Sequence, residues 1–124
     1  MARKVLIIDD EDDIREVAAL SLESVAGWEV IVAASGAEGI ARAAEEQPDA
    51  ILLDVMMPEM DGPATFRELR NNPATARIPV LLLTAKVQSS DQKRFAGLGV
   101  EAVLLKPFDP LQLSAQIASA LGWN

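Results

Sequence analysis

The sequence predicts a doubly wound α/β domain, a five-stranded parallel sheet with helices on both faces. Apolar runs of strand length alternate with helix-patterned segments five times over. Such alternation requires right-handed crossovers, which place helices on both sides of a parallel sheet. The first run, Val5-Leu6-Ile7-Ile8, is continuously apolar, as suits a strand covered on both faces. An eight-unit barrel would need roughly 250 residues, and the chain has 124.

Residues 4–9 read as the first strand. Ile14, Val17, Ala18, Leu22 and Val25 recur near helical spacing over 13–26. A second strand covers 28–33. Ser35 and Glu38 form a capping box that opens a helix to about Glu46, and Pro48 stops it. The third and most apolar strand is 50–54. After Asp61-Gly62, Pro63 suits the first turn of a helix to about Asn71. Strand four is 78–84, and a short helix follows over 89–96, with Gly97 and Gly99 as C-caps. Strand five is 100–105. Asp109 caps the last helix, Pro110 takes its first position, and Leu113, Ile117 and Leu121 face the core. No linker or low-complexity segment interrupts the pattern, so 1–124 reads as one domain.

Composition narrows the chemistry. The chain has no cysteine and no histidine, which excludes disulfides, thiolate nucleophiles, imidazole bases and His- or Cys-ligated zinc. Nineteen acids against 11 bases give a net charge of −8, a poor match to a nucleic-acid backbone. No apolar run approaches the ~18 residues of a membrane span. A cytoplasmic setting with no membrane or nucleic-acid partner is expected. Much of the charge is one run, Asp9-Asp10-Glu11-Asp12-Asp13, without which 14 acids would face 11 bases.

In open parallel sheets, ligands bind beyond the carboxyl ends of the strands. Strands one, three, four and five end at Asp9/Asp10, Asp54, Thr84 and Lys106. If strands one and three are neighbours, three carboxylates converge there. Like charges in a partly buried cleft raise one another's pKa, and a hard, oxygen-seeking dication such as Mg²⁺ relieves this. Carboxylates, a metal, the Lys106 amine and the Thr84 hydroxyl make up what phosphoryl transfer to an aspartate requires.

Plainer readings apply to several residues. Glu11, Asp12 and Asp13 suit a helix N-terminus by their charge alone. An EF-hand is disfavoured, because Ile14 stands where the loop glycine belongs. Met56, Met57 and Met60 read as loop packing, and Trp28, Phe66, Phe95, Phe108 and Trp123 as core or edge residues. Asp54 and Lys106 each break an apolar run, which is costly for an unpaired charge.

At these residues the chain resembles the receiver domain of two-component response regulators, the CheY-like family. The likeness spans essentially the whole chain and is carried by Val5-Leu6-Ile7-Ile8-Asp9-Asp10-Glu11, by Leu53-Asp54-Val55-Met56-Met57-Pro58-Glu59-Met60-Asp61-Gly62, by Leu83-Thr84-Ala85 and by Lys106-Pro107-Phe108. The resemblance implies a flavodoxin-like (βα)5 sandwich of strand order 2-1-3-4-5. It implies that Asp54 accepts a phosphoryl group from a phosphohistidine on a sensor histidine kinase or histidine phosphotransfer protein. Asp9, Asp10, Asp54 and the Met56 carbonyl would bind Mg²⁺, with Mn²⁺ as a substitute, and Thr84 and Lys106 would contact the phosphoryl oxygens. The Lys106–Pro107 peptide would be cis, and Met56 and Lys86 would tune phosphoryl lifetime.

One position departs from the family pattern. Relatives carry an aromatic ring three residues before the lysine, where this chain has Val103. The expected readout therefore runs through backbone shifts or the short fourth helix. The function expected is a phosphorylation switch, not a metabolic enzyme, limited to its own phosphoryl gain and hydrolysis. With no residues left for an output domain, it would act through a partner, or else be part of a longer protein. The alternative is a receiver-like module that docks partners without phosphorylation. A haloacid-dehalogenase-type hydrolase ranks lower, because Val55-Met56 follows Asp54 where Val55-Asp would be wanted.

Overall fold

A computed structural model describes residues 3–85, 93–95 and 97–123. Its elements run β1 (Lys4–Ile8), α1 (Asp12–Ala26), β2 (Glu29–Ala33), α2 (Gly36–Glu46), β3 (Ala50–Asp54), α3 (Gly62–Asn71), β4 (Val80–Thr84), β5 (Ala102–Leu105) and α4 (Leu113–Leu121). The sheet is wholly parallel, in the order β2-β1-β3-β4-β5. Neighbours β1 and β3 register Ile8 against Leu53.

The apolar strands supply both cores by alternation. Val5, Ile7, Leu52, Leu81 and Leu83 pack with Ala18 and Leu22 of α1 and Leu113 and Ile117 of α4. Leu6, Ile8, Ile51, Leu53 and Leu82 pack with Ala43 of α2, Phe66 and Leu69 of α3, and Phe95. The central strands β1, β3 and β4 are thereby covered on both sides, as their uninterrupted apolarity predicts, while Val32 of β2 and Leu105 of β5 stay exposed at the sheet edges.

Several boundaries differ from the sequence reading. Strand four starts at Val80, because Pro79 has no N–H for the ladder, although its carbonyl accepts from Ile51 at 2.9 Å. Strand five starts at Ala102. Asp109 caps a turn rather than the last helix. Its carboxylate accepts from Leu111 N–H at 2.9 Å, and α4 begins only at Leu113, with no side-chain cap. In the capping box, Ser35 accepts from Glu38 N–H, but Glu38 reaches back to Ala34 rather than to Ser35. Gly99 is left-handed and Gly97 is not. Val17 and Val25 are exposed, whereas the helical pattern places them in the core. Of the helix expected over 89–96, residues 93–95 are helical and the rest lies outside the described residues.

Candidate functional site: an acidic cleft at the strand ends

Asp9 follows β1 directly, and its N–H donates to Ala33 O at 3.1 Å, so it continues the sheet for one more residue. Asp54 is the last residue of β3 and Thr84 the last of β4. All three are buried, at 1%, 3% and 1% exposure. Asp10 is exposed, yet carboxylate oxygens of Asp9, Asp10 and Asp54 lie within 4.8 Å of one another.

Lys106 follows β5, and its N–H donates to Thr84 O at 2.8 Å. Its ammonium lies 3.1 Å from Asp9 Oδ2, 3.1 Å from Asp54 Oδ1 and 3.7 Å from Glu11 Oε2. The next peptide, Lys106–Pro107, is cis. Below Asp54 the chain folds back on itself, and Gly62 N–H donates to Val55 O at 2.9 Å. A Cβ on Gly62 would stand 2.7 Å from Asp54 O and 2.8 Å from Val55 Cα, so only glycine fits. Asp61 caps α3 by accepting from Ala64 N–H at 2.9 Å.

The electrostatics follow from burial. Asp54 is pushed up to about 6, first by burial and then by the Asp9 charge, against the opposing pull of Lys106 and the Met56 N–H. Burial also raises Asp9, outweighing the Glu11 N–H and Lys106. Burial disfavours the Lys106 ammonium, but its contacts with Asp9 and Asp54 prevail and raise its pKa. One lysine thus undercompensates two buried acids. Asp9 Oδ2 is buried, with the Lys106 ammonium at 3.1 Å and no hydrogen-bond donor assigned to it among the described residues. Three converging carboxylates, two of them resisting ionisation and sharing one ammonium, fit a hard divalent cation.

The sequence-predicted residues Asp9, Asp10, Asp54, Thr84 and Lys106 all stand at this edge. Met56 lies in the loop after β3 and is 62% exposed rather than packed, whereas Met57 is buried. Val103 is half-buried against the core that holds Phe66 and Phe95. Lys86 lies outside the described residues. Two residues escaped the sequence reading. Glu11, read as a helix-end acid, also approaches Lys106, and Arg15 donates to the Asp9 carbonyl at 2.7 Å. Their signal was spacing: Glu11 and Arg15 are four apart, so one turn of helix sets both beside Asp9. Trp28 and Trp123 stack edge to face, 5.3 Å apart, at the opposite edge of the sheet, so tryptophan emission is a poor reporter of this cleft.

The family described as the response regulator receiver domain matches residues 5–118. The chain belongs to this family. This receiver is 40% identical over 118 residues to the DNA-binding dual master transcriptional regulator RpaA of Synechocystis, covering 95% of the chain and 48% of RpaA. It is 36% identical over 121 residues to the alkaline phosphatase synthesis transcriptional regulatory protein PhoP of Bacillus subtilis, covering 98% of the chain and 49% of PhoP. The chain therefore spans about half the length of these curated relatives. Among solved structures, the chemotaxis response regulator CheY4 of Vibrio cholerae superposes with a TM-score of 0.89 at 32% identity, over 97% of this chain and 99% of CheY4. The receiver of sensor histidine kinase PA1611 from Pseudomonas aeruginosa, solved with magnesium in its active-site cleft, gives 0.86 at 28%, over 98% and 99%. The receiver is a signalling switch, the phosphoacceptor module of a two-component system. Among the described residues no helix is long and apolar enough to cross a membrane.

Proposed function

We propose that Asp54 is the phosphoacceptor and that Asp9, Asp10, Asp54 and the Met56 carbonyl hold Mg²⁺. The observation that carries this reading is the convergence of three carboxylates and one ammonium on the end of β3. Bound Mg²⁺, or Mn²⁺ in its place, supplies positive charge against the phosphoryl oxygens. Asp54 presents a carboxylate oxygen to the phosphorus of a partner's phosphohistidine. The O–P bond forms as the N–P bond breaks, and the imidazole leaves with its electron pair and takes up a proton. Lys106, already within 3.1 Å of Asp54, neutralises the developing charge on the phosphoryl oxygens, and the Thr84 hydroxyl donates to one of them. Hydrolysis of the acyl phosphate returns the switch to rest.

The donor is a sensor histidine kinase or histidine phosphotransfer protein, in a cytoplasmic setting. Residues 1–124 act as one receiver unit, and the transcriptional regulators among its relatives suggest a DNA-directed output, in the same protein or in a partner. Met56 and Lys86 tune phosphoryl lifetime, Pro107 fixes the direction of Lys106, and Val103 stands at the switch position. Val103 has no ring to swing inward, so the signal passes through backbone shifts between strands four and five. Nothing among the described residues favours docking without phosphorylation.

The test is labelling with a small phosphodonor such as acetyl phosphate in Mg²⁺. Intact-mass measurement shows one phosphoryl group on the wild type and none on Asp54→Asn. Persistent labelling of that variant refutes the assignment. Amide shifts on phosphorylation extend to Val103, and shifts confined to the Asp54 pocket would refute the readout.

A further inference from the structure

Arg15 lies one turn inside α1, and its side chain turns back over the start of the helix with 18% of its surface exposed. Nη1 donates to the Asp9 carbonyl at 2.7 Å, and Nη2 pairs with the Asp12 carboxylate. The Asp9 carbonyl belongs to the peptide that joins Asp9 to Asp10. Three bonds then fix this turn: Asp9 N–H to Ala33 O at 3.1 Å, Glu11 N–H to Asp9 Oδ1 at 2.9 Å, and Arg15 to Asp9 O. Asp9 Oδ2 and the Asp10 carboxylate remain to face Asp54. No side chain among the described residues holds Asp10 directly, so its direction depends on the peptide plane before it.

We propose that Arg15 is a positioning residue for cation binding, setting the Asp9–Asp10 peptide plane so that both carboxylates converge with Asp54. The proposal rests on the Mg²⁺ reading of the cleft. Arginine suits the task because its rigid fork can hold a backbone carbonyl and a carboxylate at once. The ordering of the Asp9–Asp10 turn is then complete before a cation arrives, and binding does not have to supply it.

Charge and position predict opposite signs. A guanidinium beside a cation site repels the cation. Removing it should tighten Mg²⁺ binding if only charge matters, and weaken it if orientation matters. Arg15→Met keeps the apolar stem and a good helix former while losing the donors and the charge. Arg15→Lys keeps the charge and one donor.

Mg²⁺ is titrated into the full chain, following the amide signals of Asp10 and Asp54 by NMR, with thermal unfolding in EDTA alongside. Arg15→Met binds Mg²⁺ about tenfold more weakly, at the lower end of what outer positioning residues contribute to metal affinity. Arg15→Lys recovers most of that loss. Equal or tighter binding by Arg15→Met overturns the proposal, as does a lowered Tm with unchanged affinity. If Arg15→Met does not fold, Arg15→Lys is compared with the wild type, and tighter binding by the lysine variant overturns the proposal. A wild type whose Asp10 and Asp54 signals ignore Mg²⁺ overturns the metal reading of the cleft as well.

Discussion

In the absence of metal, replacing Asp54 by asparagine stabilises this protein at neutral pH. The cause is burial: folding raises the Asp54 pKa from 3.8 to about 6, mainly through lost solvation and secondarily through Asp9. A carboxylate raised in the folded state carries no penalty below about 3.8, where both states are protonated. The penalty grows as pH rises and is complete above about 6. At about 1.36 kcal/mol per pH unit, it reaches about 3 kcal/mol at pH 7.5. At pH 5 the folded carboxyl is largely protonated while the unfolded one is not, and about half remains. Asparagine keeps the shape and is neutral throughout. Urea titrations in EDTA should give Asp54→Asn an advantage of about 3 kcal/mol at pH 7.5 and about half that at pH 5. The corresponding gain in Tm at neutral pH is about 10 °C. Saturating Mg²⁺ narrows the gap, because it stabilises the wild type by about 2.7 kcal/mol at one hundred times Kd and the variant by less. Equal stabilities at pH 7.5, or an advantage that does not change with pH, would refute the electrostatic account.

Other substitutions probe other supports of the cleft. Lys106→Met leaves Asp9 and Asp54 without their shared countercharge and costs about 3 kcal/mol at pH 7.5 in EDTA. The raised Lys106 pKa keeps the ammonium charged throughout the neutral range, so the cost fades only as the acids protonate. Urea titration at pH 4.5 should show it reduced, and an unchanged cost would count against the pairing. Gly62→Ala forces a Cβ against Asp54 O and Val55 Cα, and because both obstacles are backbone it costs about 1–3 kcal/mol. It also moves the Asp54 amide signal, and a silent variant would show that the loop can yield. Asp61→Ala removes the α3 cap for about 1 kcal/mol in chemical unfolding, with Mg²⁺ affinity retained.

The fold was legible wherever burial decided it. Leu6 and Ile7 point into opposite cores, and a continuous apolar run is the sequence imprint of that arrangement. The site was legible through register, because strands of nearly equal length in a parallel sheet bring Asp9, Asp54, Thr84 and Lys106 to one edge. Less legible was what depends on local competition among polar groups. Asp109 serves a turn in place of α4, its carboxylate accepting from Leu111 N–H, and proline spacing does not encode that choice. Val17 and Val25 fit the helical period, yet nothing covers that side of α1 among the described residues, so periodicity overstates the buried stripe. Arg15 was hidden because its partner is a backbone carbonyl, a group common to every residue.

The same competition explains why the acids gather where they do. Asp9, Asp10, Glu11 and Asp54 gather around the single ammonium of Lys106, while the Arg15 guanidinium is matched by Asp12, which leaves three negative charges without counterparts at the strand ends. Two buried carboxylates that resist ionisation are an expense that the apolar strands beneath must cover. A dication offsets two of the three and relieves most of that cost. An aspartyl phosphate then returns roughly one to two negative charges to the same place, if it carries the charge of other phosphoresidues. The lysine that contacts Asp9, Glu11 and Asp54 at once is a cation within reach of each of these states, on a flexible stem rather than a rigid fork. Arginine at 106 would fix one pairing, whereas lysine can follow the charge. Lysine therefore suits position 106 and arginine position 15, each for its geometry.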